Sequence, residues 1–233
     1  NKYDISVIES TINGDTNSFA GKIIDEKPDV IAFSCYIWNI EKVKYICRAI
    51  KEALPNCVTV FGGPEVSFNA SQVLTENPFV DYVLSGEGEF PFAMLCNAVI
   101  SGDSSMLLSI PGICTRTKDG FHISEPYIST DTPPSPYSDD YLKALSGKIS
   151  YMESSRGCPF SCAFCLSGRC GGVRFFDIER AKKEMLLLAK SGFDKISKSL
   201  FHIFQILCRK MQGTLSGFGH MLGGLAAQLC DLA

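Results

Sequence analysis

The chain has 233 residues, of which 45% are hydrophobic and 20% are charged, a balance typical of one large or two small globular domains. The formal net charge is -3, so the surface offers no basic field to a nucleic acid, and the apolar runs are too short for a membrane span. We therefore expect neither a nucleic acid nor a membrane as a partner.

The cysteines indicate a reducing compartment. There are eleven, an odd number, and most stand alone inside apolar segments, which does not suit a secreted disulfide scaffold. Each of these single cysteines is expected to pack as a small hydrophobic residue; in the amino-terminal half they are Cys35, Cys47, Cys57, Cys96 and Cys114. We expect a cytoplasmic protein.

Residues 1–124 alternate between short apolar strands and amphipathic helices. Strands are predicted over residues 4–9, 29–35, 58–61, 80–84 and 112–117. Helices are predicted over residues 16–26, with Asp15 or Thr16 as cap, and over residues 39–54, 69–76 and 89–101. Short strands that are apolar throughout are typical of a parallel sheet covered on both faces. The sequence therefore predicts an α/β, doubly wound domain.

Small or turn-forming residues follow three of these strands. The segments are Ser34-Cys35-Tyr36, Gly62-Gly63-Pro64-Glu65 and Gly86-Glu87-Gly88-Glu89. In doubly wound sheets, ligands bind beyond the carboxyl ends of the strands, where small residues permit close approach. A tight turn without a ligand explains each glycine pair as well, and solvated loop carboxylates explain the glutamates, so both interpretations stay open.

The rest of the chain divides by composition. Residues 125–147 are rich in Pro, Ser, Thr and Asp and are predicted to be a linker. Residues 148–196 begin a second unit: a strand over 149–153, a cysteine-rich loop, a helix over 178–190 and a strand near 193–196. The tail, residues 197–233, has four charged residues and no regular apolar period; it is either an out-of-frame or misjoined segment or a short amphipathic helix. Because the chain starts at Asn1 and enters a strand-like segment at once, we also expect further sequence upstream.

The cysteine-rich loop suggests a metal centre. Residues 155–165 read SRGCPFSCAFC, a C-x3-C-x2-C spacing directly after a strand. Three thiolates on one short loop suit three corners of a [4Fe–4S] cluster, which then keeps one iron open to a small chelating molecule. A zinc site with Cys170 as a fourth thiolate is the alternative, although zinc ribbons usually pair two C-x2-C knuckles.

This loop, with an aromatic residue before its last cysteine, resembles the radical S-adenosylmethionine (radical SAM) superfamily. In that superfamily the C-x3-C-x-aromatic-C motif follows the first strand of a partial (β/α) barrel. The resemblance implies that Cys158, Cys162 and Cys165 ligate a [4Fe–4S] cluster and that Phe164 lies beside the adenine of SAM, which chelates the open iron. It also implies a one-electron reductant, a 5′-deoxyadenosyl radical and an unknown substrate.

The amino-terminal half resembles the cobalamin-binding domain that precedes many radical SAM barrels. That domain has a D-x-H-x-x-G loop, then S-x-L, then a G-G pair. Here Ser34-Cys35-Tyr36 stands at the S-x-L place with Tyr for Leu, and Gly62-Gly63 follows. No D-x-H-x-x-G occurs, so the first strand of that domain and its loop are missing, altered or were never present. The resemblance implies that the cofactor contacts are Ser34, Tyr36, Gly62, Gly63, Glu65, Gly86, Glu87 and Gly88.

Together the two resemblances imply part of a cobalamin-dependent radical SAM enzyme that performs methyl transfer or a rearrangement. The sequence offers fewer strand–helix units than a radical SAM barrel needs, so this chain alone is expected to be inactive. Two alternatives remain: a methylthiotransferase-like radical SAM enzyme, and a non-catalytic binding module with a metal staple.

Overall fold

The computed structural model describes residues 3–144, 149–160, 162–163, 165, 172–190 and 195–196. Contacts between residues divide the chain into two compact units, residues 1–133 and residues 134–233. Phe164, Cys170 and the atypical tail, all of which entered the predictions, lie outside the described residues.

The first unit contains helices and strands in alternation up to residue 101. Its helices are α1 (Thr16–Glu26), α2 (Ile40–Ala53), α3 (Ala70–Glu76) and α4 (Glu89–Ser101), followed by a 3-10 helix over Ser104–Ser109. Its strands are β1 (Val30–Ser34), β2 (Val58–Gly62), β3 (Tyr82–Leu84), β4 (Ile113–Thr117) and β5 (Gly120–Ile123). Each predicted helix is confirmed to within one residue at either end. Asp15 caps α1, since its carboxylate accepts hydrogen bonds from the amides of Asn17 and Ser18. None of the helices in the described part of the chain has the length and apolar character needed to cross a membrane.

These five strands form one sheet in the order β1-β2-β3-β4-β5. The first three strands are parallel, as predicted, whereas β4 runs antiparallel to β3 and β5 antiparallel to β4. The sheet is therefore mixed rather than wholly parallel. Only Lys118 and Asp119 separate β4 from β5, and so short a connection can join antiparallel strands only.

Helices cover both faces of this sheet, because successive side chains along a strand point to opposite sides. Phe61, Val83 and Cys114 pack on one face against residues of α2 and α3. Val60, Leu84 and Ile113 pack on the other face against α4 and the 3-10 helix. The doubly wound α/β class is thus confirmed.

Residues 4–9 do not form the predicted strand. Ile5 and Val7 are 73% and 84% exposed, and no strand within residues 3–144 pairs with this segment. Ile and Val favour a strand in this segment, but a strand also requires a neighbour for its backbone hydrogen bonds. The prediction of a strand here is wrong, and β1 is the edge strand of the sheet.

The Asp81 carboxylate joins β2 to β3 near the start of both strands. This is the end of the sheet opposite the loops that follow β2 and β3. Asp81 Oδ2 accepts hydrogen bonds from the Thr59 amide (2.8 Å) and hydroxyl (2.9 Å) and lies 2.7 Å from the Lys51 ammonium. The Lys51 ammonium also donates to the Cys57 carbonyl. This network fixes where both strands begin, so their carboxyl ends emerge in a defined register.

The second unit contains α5 (Asp139–Ala144), β6 (Ile149–Ser150), β7 (Ser155–Arg156), β8 (Arg174–Phe175), α6 (Ile178–Lys190) and β9 (Lys195–Ile196). Strand β6 pairs with β9 in parallel, and β7 pairs with β8 antiparallel. Helix α6 has the bounds that the sequence predicts. Met152 and Leu188 form a small core with Tyr137, Leu142 and Met185. The β7–β8 pair and α5, which lies inside the proline-rich segment, were not predicted.

Candidate functional site

Three loops leave the sheet side by side at its carboxyl edge. In the sheet register Ser34 lies opposite Gly62, and Gly62 lies opposite Leu84. The segments after β1, β2 and β3 therefore start from one row of residues. The structure brings together the predicted contacts Ser34, Tyr36, Gly62, Gly63, Glu65, Gly86, Glu87 and Gly88 at this edge.

The loop after β1 is held by the side chain of Asn39. Its Oδ1 accepts a hydrogen bond from the Tyr36 amide (2.8 Å) and its Nδ2 donates to the Ser34 carbonyl (2.9 Å). The rings of Tyr36 and Trp38 stack with centroids 4.5 Å apart and planes 8° apart. Trp38 is 62% exposed and Ile37 is 76% exposed. The loop therefore presents a flat apolar platform.

Sequence reasoning selected Tyr36 but missed Ile37 and Trp38. Two large apolar residues directly after a buried strand, at the edge where ligands bind, were the available signal. Tyr36, Ile37 and Trp38 together form the platform.

The two glycines at the end of β2, Gly62 and Gly63, have different surroundings. Gly63 has φ +101°, and a Cβ added there would lie 2.6 Å from the Cys35 carbonyl oxygen. A tight approach of two backbones within the protein thus requires Gly63, whether or not a ligand binds. At Gly62 the nearest atom to an added Cβ is the Leu84 carbonyl oxygen at 3.9 Å. A Cβ at Gly62 would therefore make an ordinary van der Waals contact without a clash.

Two buried serines tie the loops after β2 and β3 together. The Ser67 hydroxyl donates to the Gly63 carbonyl (2.8 Å) and accepts from the Gly86 amide (3.3 Å). The Ser85 hydroxyl donates to the Ser67 carbonyl. Because both side chains are buried, these hydrogen bonds are shielded from water and hold the two loops in one arrangement.

Part of the proline-rich segment binds back to the loop after β3. The Tyr127 amide donates to the Ser85 carbonyl (2.9 Å), and the Glu87 amide donates to the Tyr127 carbonyl (2.8 Å). The Glu87 carboxylate accepts a hydrogen bond from the Ser129 amide (3.2 Å). Glu87, which the sequence suggests as a cofactor contact, is thus also engaged with the backbone of its own chain.

In the second unit, a short antiparallel ladder closes the base of the cysteine loop. Ser155 pairs with Phe175 and Arg156 pairs with Arg174, and the Phe176 amide donates to the Ser154 carbonyl (3.0 Å). Gly157 has φ +88°, and an added Cβ would lie 1.9 Å from the carbonyl oxygen of Gly172. The absence of a side chain at Gly157 thus allows the two ends of the loop to touch.

The predicted ligands lie on this loop. Cys162 is exposed, Cys158 and Cys165 are half-buried, and the Cys165 amide donates to the Cys162 carbonyl (3.1 Å). No three His, Cys, Asp or Glu side chains among the described residues form a group that could hold a metal ion, so the three thiols share a loop without converging. Their chemical type fits an iron–sulfur cluster, which takes thiolates as ligands.

The amino-terminal cysteines have a different environment. Burial raises the pKa of Cys35 and that of Cys47 to about 12 because the charged thiolate loses its hydration. Burial also raises the pKa of Cys57, Cys96 and Cys114. Cys35, Cys47, Cys57 and Cys114 are buried core residues rather than ligands or nucleophiles, and Cys96 is half-buried on α4.

This difference predicts selective alkylation of the folded protein. A thiol with a pKa of about 12 is roughly one part in 100,000 thiolate at neutral pH. We expect iodoacetamide to label Cys162 and Cys158 in the native, metal-free protein and to label Cys35 and Cys47 only after unfolding. Peptide mass spectrometry measures each site. Native labelling of Cys35 as fast as that of Cys162 would contradict the assignment, and labelling in urea is the control.

Known proteins resemble this chain over most of its length. Residues 1–95 match the B12-binding domain family. Over 188 residues the chain is 32% identical to the 2-(S-pantetheinyl)-carbapenam-3-carboxylate methyltransferase of Streptantibioticus cattleyicolor, an alignment that covers 72% of this chain and 27% of that relative. It is 31% identical, over 73% of this chain and 27% of the relative, to the cobalamin-dependent radical SAM methyltransferase TokK of Streptomyces tokunonensis. The chain therefore carries a B12-binding domain and is similar over most of its length to cobalamin-dependent radical SAM methyltransferases.

A solved structure of a radical SAM protein has the same fold. The radical SAM methyltransferase TsrM of Kitasatospora setae, solved with cobalamin and a [4Fe–4S] cluster, aligns with a TM-score of 0.57 at 16% identity and covers 78% of this chain and 39% of TsrM. At that identity the likeness shows the fold alone. The chain spans about a quarter of the length of the two curated relatives.

Proposed function

We propose that the full-length protein is a cobalamin-dependent radical SAM enzyme that transfers a methyl group to an as yet unknown substrate. The observation that carries the proposal is a loop of three thiols, closed at its base, on the same chain as a B12-binding domain whose three loops share one edge. The methyltransferase names of the two curated relatives support methyl transfer over rearrangement. The domains proposed for these roles are residues 1–124 and 148–196, joined by residues 125–147.

In the second domain, Cys158, Cys162 and Cys165 are the proposed cluster ligands. Three protein thiolates leave one iron of a [4Fe–4S] cluster for SAM, and Phe164 is assigned to the adenine. The half-buried positions of Cys158 and Cys165 keep two of the three sulfur ligands partly away from water. A one-electron reductant is required as a partner, and the reducing cytoplasm is the proposed compartment.

In the first domain, the platform and Gly62 are the proposed contacts of cobalamin. A corrin ring is broad and flat, and a stacked, exposed aromatic pair offers it an apolar surface of matching shape. The absence of a side chain at Gly62 lets a ligand come close to the backbone there. Ser34, Gly88 and the half-buried Glu65 lie at the same edge and are assigned to its polar periphery.

The residues of this chain bind and orient, and the cofactors perform the bond chemistry. When bound, the cluster and cobalamin supply an electron for cleaving SAM and a carrier for the methyl group. Asn39 holds the platform in place, Ser67 and Ser85 keep the neighbouring loops fixed, and the β7–β8 ladder holds the cysteine loop. No residue of the chain is assigned a proton transfer.

The methylthiotransferase alternative requires a second set of cluster cysteines in the amino-terminal domain. Cys35 and Cys47 are buried in the core, and burial raises the pKa of both. Thiols of this kind do not ionise readily to bind iron, so this alternative is disfavoured.

Metal and cofactor binding tests the proposal. After anaerobic reconstitution, the protein should hold about four irons with matching sulfide per chain, and SAM should change the EPR spectrum of the reduced cluster. Added cobalamin should remain bound through gel filtration and be visible by its absorbance. One zinc without iron would instead indicate a metal-stapled binding module. Binding is the appropriate measurement because the described part of the second unit contains a single strand–helix–strand repeat, and turnover by this chain alone is not expected.

The platform gives a separate prediction for cobalamin. Trp38→Ala should weaken cobalamin binding roughly tenfold, since an aromatic stacking contact and its buried area are worth about 1–2 kcal/mol. Equilibrium dialysis of cobalamin measures the change. Phe121→Ala on β5, at the opposite edge of the sheet and 43% exposed, is the control and should bind as the wild type does. Equal binding by the Trp38 variant and the wild type would remove the platform from the site.

A further inference from the structure

An aromatic ring between two guanidinium groups connects the start of the cysteine loop to helix α6. The Arg156 guanidinium makes a bidentate pair with Glu153, Nε to Oε1 at 3.0 Å and Nη2 to Oε2 at 2.9 Å. The guanidinium carbon of Arg156 lies 5.8 Å from the ring centroid of Phe176, within the range of a cation–π interaction.

A second guanidinium reaches the same ring from α6. The guanidinium carbon of Arg180 lies 5.3 Å from the Phe176 centroid, and its Nε lies 2.8 Å from Glu184 Oε1. The Glu184 side chain is only 6% exposed, so this ion pair is screened little by water and salt. The Arg180 amide also donates to Asp177 Oδ1 (2.9 Å) at the start of the helix. Phe176 thus contacts two cations, each paired with its own carboxylate.

These five residues flank the cysteine loop in sequence. Glu153 and Arg156 precede Cys158, whereas Phe176, Arg180 and Glu184 follow the end of the loop. The β7–β8 ladder between the flanks pairs only two residues of each strand, and so short a two-stranded ladder is marginal by itself. The side chains therefore add the contacts that the ladder lacks.

We propose that Phe176 is a positioning residue for the metal centre: by joining Arg156 to Arg180 it holds the two ends of the cysteine loop together and thereby slows the loss of iron from the three thiolates. The inference rests on the proposed function. Phe176 acts through the loop backbone and is assigned no contact with iron or SAM.

The test compares Phe176→Leu with Phe176→Tyr in the full chain. Leucine keeps an apolar side chain but removes the ring face, whereas tyrosine keeps the ring. After anaerobic reconstitution, we expect Phe176→Leu to lose iron to a chelator roughly tenfold faster than the wild type, because the ring face that both guanidinium groups contact is lost. Its reduced EPR spectrum should broaden as the loop geometry becomes heterogeneous. Phe176→Tyr should restore both the rate and the spectrum.

A measurement without metal separates this inference from the proposed function. In the metal-free protein, Phe176→Leu should speed hydrogen exchange of the peptide that spans the cysteine loop and leave the peptides of residues 1–133 unchanged. Glu179→Gln, which breaks the Lys182–Glu179 pair (2.7 Å) on the same helix without touching the ring, is the matched control.

The outcomes are distinct. If the wild type holds no iron while Phe176→Leu still speeds exchange in the loop, the proposed function fails and the positioning role stands. If Phe176→Leu holds iron and exchanges like the wild type, the positioning role is overturned. It is also overturned if Phe176→Tyr loses iron as fast as Phe176→Leu, because the ring face then has no part in the effect.

Discussion

Gly63→Ala is expected to lower the free energy of unfolding by about 3 kcal/mol. The residue has φ +101°, which a residue with a Cβ rarely adopts, and the new Cβ would lie 2.6 Å from the oxygen and 2.9 Å from the nitrogen of Cys35. Cys35 cannot retreat easily, because its amide donates to the Gly62 carbonyl (2.7 Å) and its own carbonyl accepts from the Glu65 amide (3.3 Å). The strain of the backbone and the clash therefore add.

The neighbouring glycine is the matched control. Gly62→Ala places a Cβ 3.9 Å from the nearest atom beyond its chain neighbours, the Leu84 carbonyl oxygen, and should change the unfolding free energy by less than about 0.5 kcal/mol. Urea unfolding followed by circular dichroism measures both variants. A Gly63→Ala protein as stable as the Gly62→Ala protein would contradict the backbone contact. If cobalamin binds beside Gly62, that variant should lose cobalamin affinity while it keeps its stability.

The helices of the first unit could be predicted because their information is local. In α2 the buried residues Ile40, Val43, Ile46, Cys47 and Ile50 recur at the spacing of a helix face, and this spacing is visible in the sequence. The direction of β4 was missed for the opposite reason. Apolar composition identifies a strand, but whether it pairs parallel or antiparallel with β3 is decided by the path of the chain between them.

Residues 4–9 show the same limit more clearly. Ile5, Val7 and the intervening residues carry a strand-like pattern, yet the described part of the chain offers this segment no hydrogen-bonded neighbour. Pairing is a property of the tertiary structure, and sequence pattern alone does not supply it.

The candidate site divides in the same way. The cysteine loop was found from spacing, since all three thiols lie within eight residues of one another. The hydrogen bond from the Ser129 amide to Glu87 and the contact of Phe176 with Arg156 were not predicted. Each depends on segments that meet only after folding, and neither has a residue spacing that marks it in the sequence.

Individual replacement of Cys158, Cys162 and Cys165 by serine is expected to abolish stable cluster binding. Each variant removes one of three thiolates, and a serine hydroxyl is a poor substitute because it stays protonated at neutral pH and is a harder donor. After reconstitution and desalting, we expect the iron content to fall from about four atoms per chain to a small fraction of that amount. Iron and sulfide analysis with EPR of the reduced protein measures the loss, and the circular dichroism of each variant should match that of the wild type.

Cys170→Ser is the matched variant that decides between the two metal sites considered for this loop. If three thiolates hold the cluster and the fourth iron is left for SAM, Cys170→Ser should retain its iron, and SAM should still alter its EPR spectrum. If Cys170 is a fourth ligand, all four variants should lose metal alike, and the wild-type spectrum should not respond to SAM because no iron is open. A fourth thiolate would thus exclude SAM chemistry at this loop even with the metal bound, so the response to SAM, and not the metal content alone, decides the function.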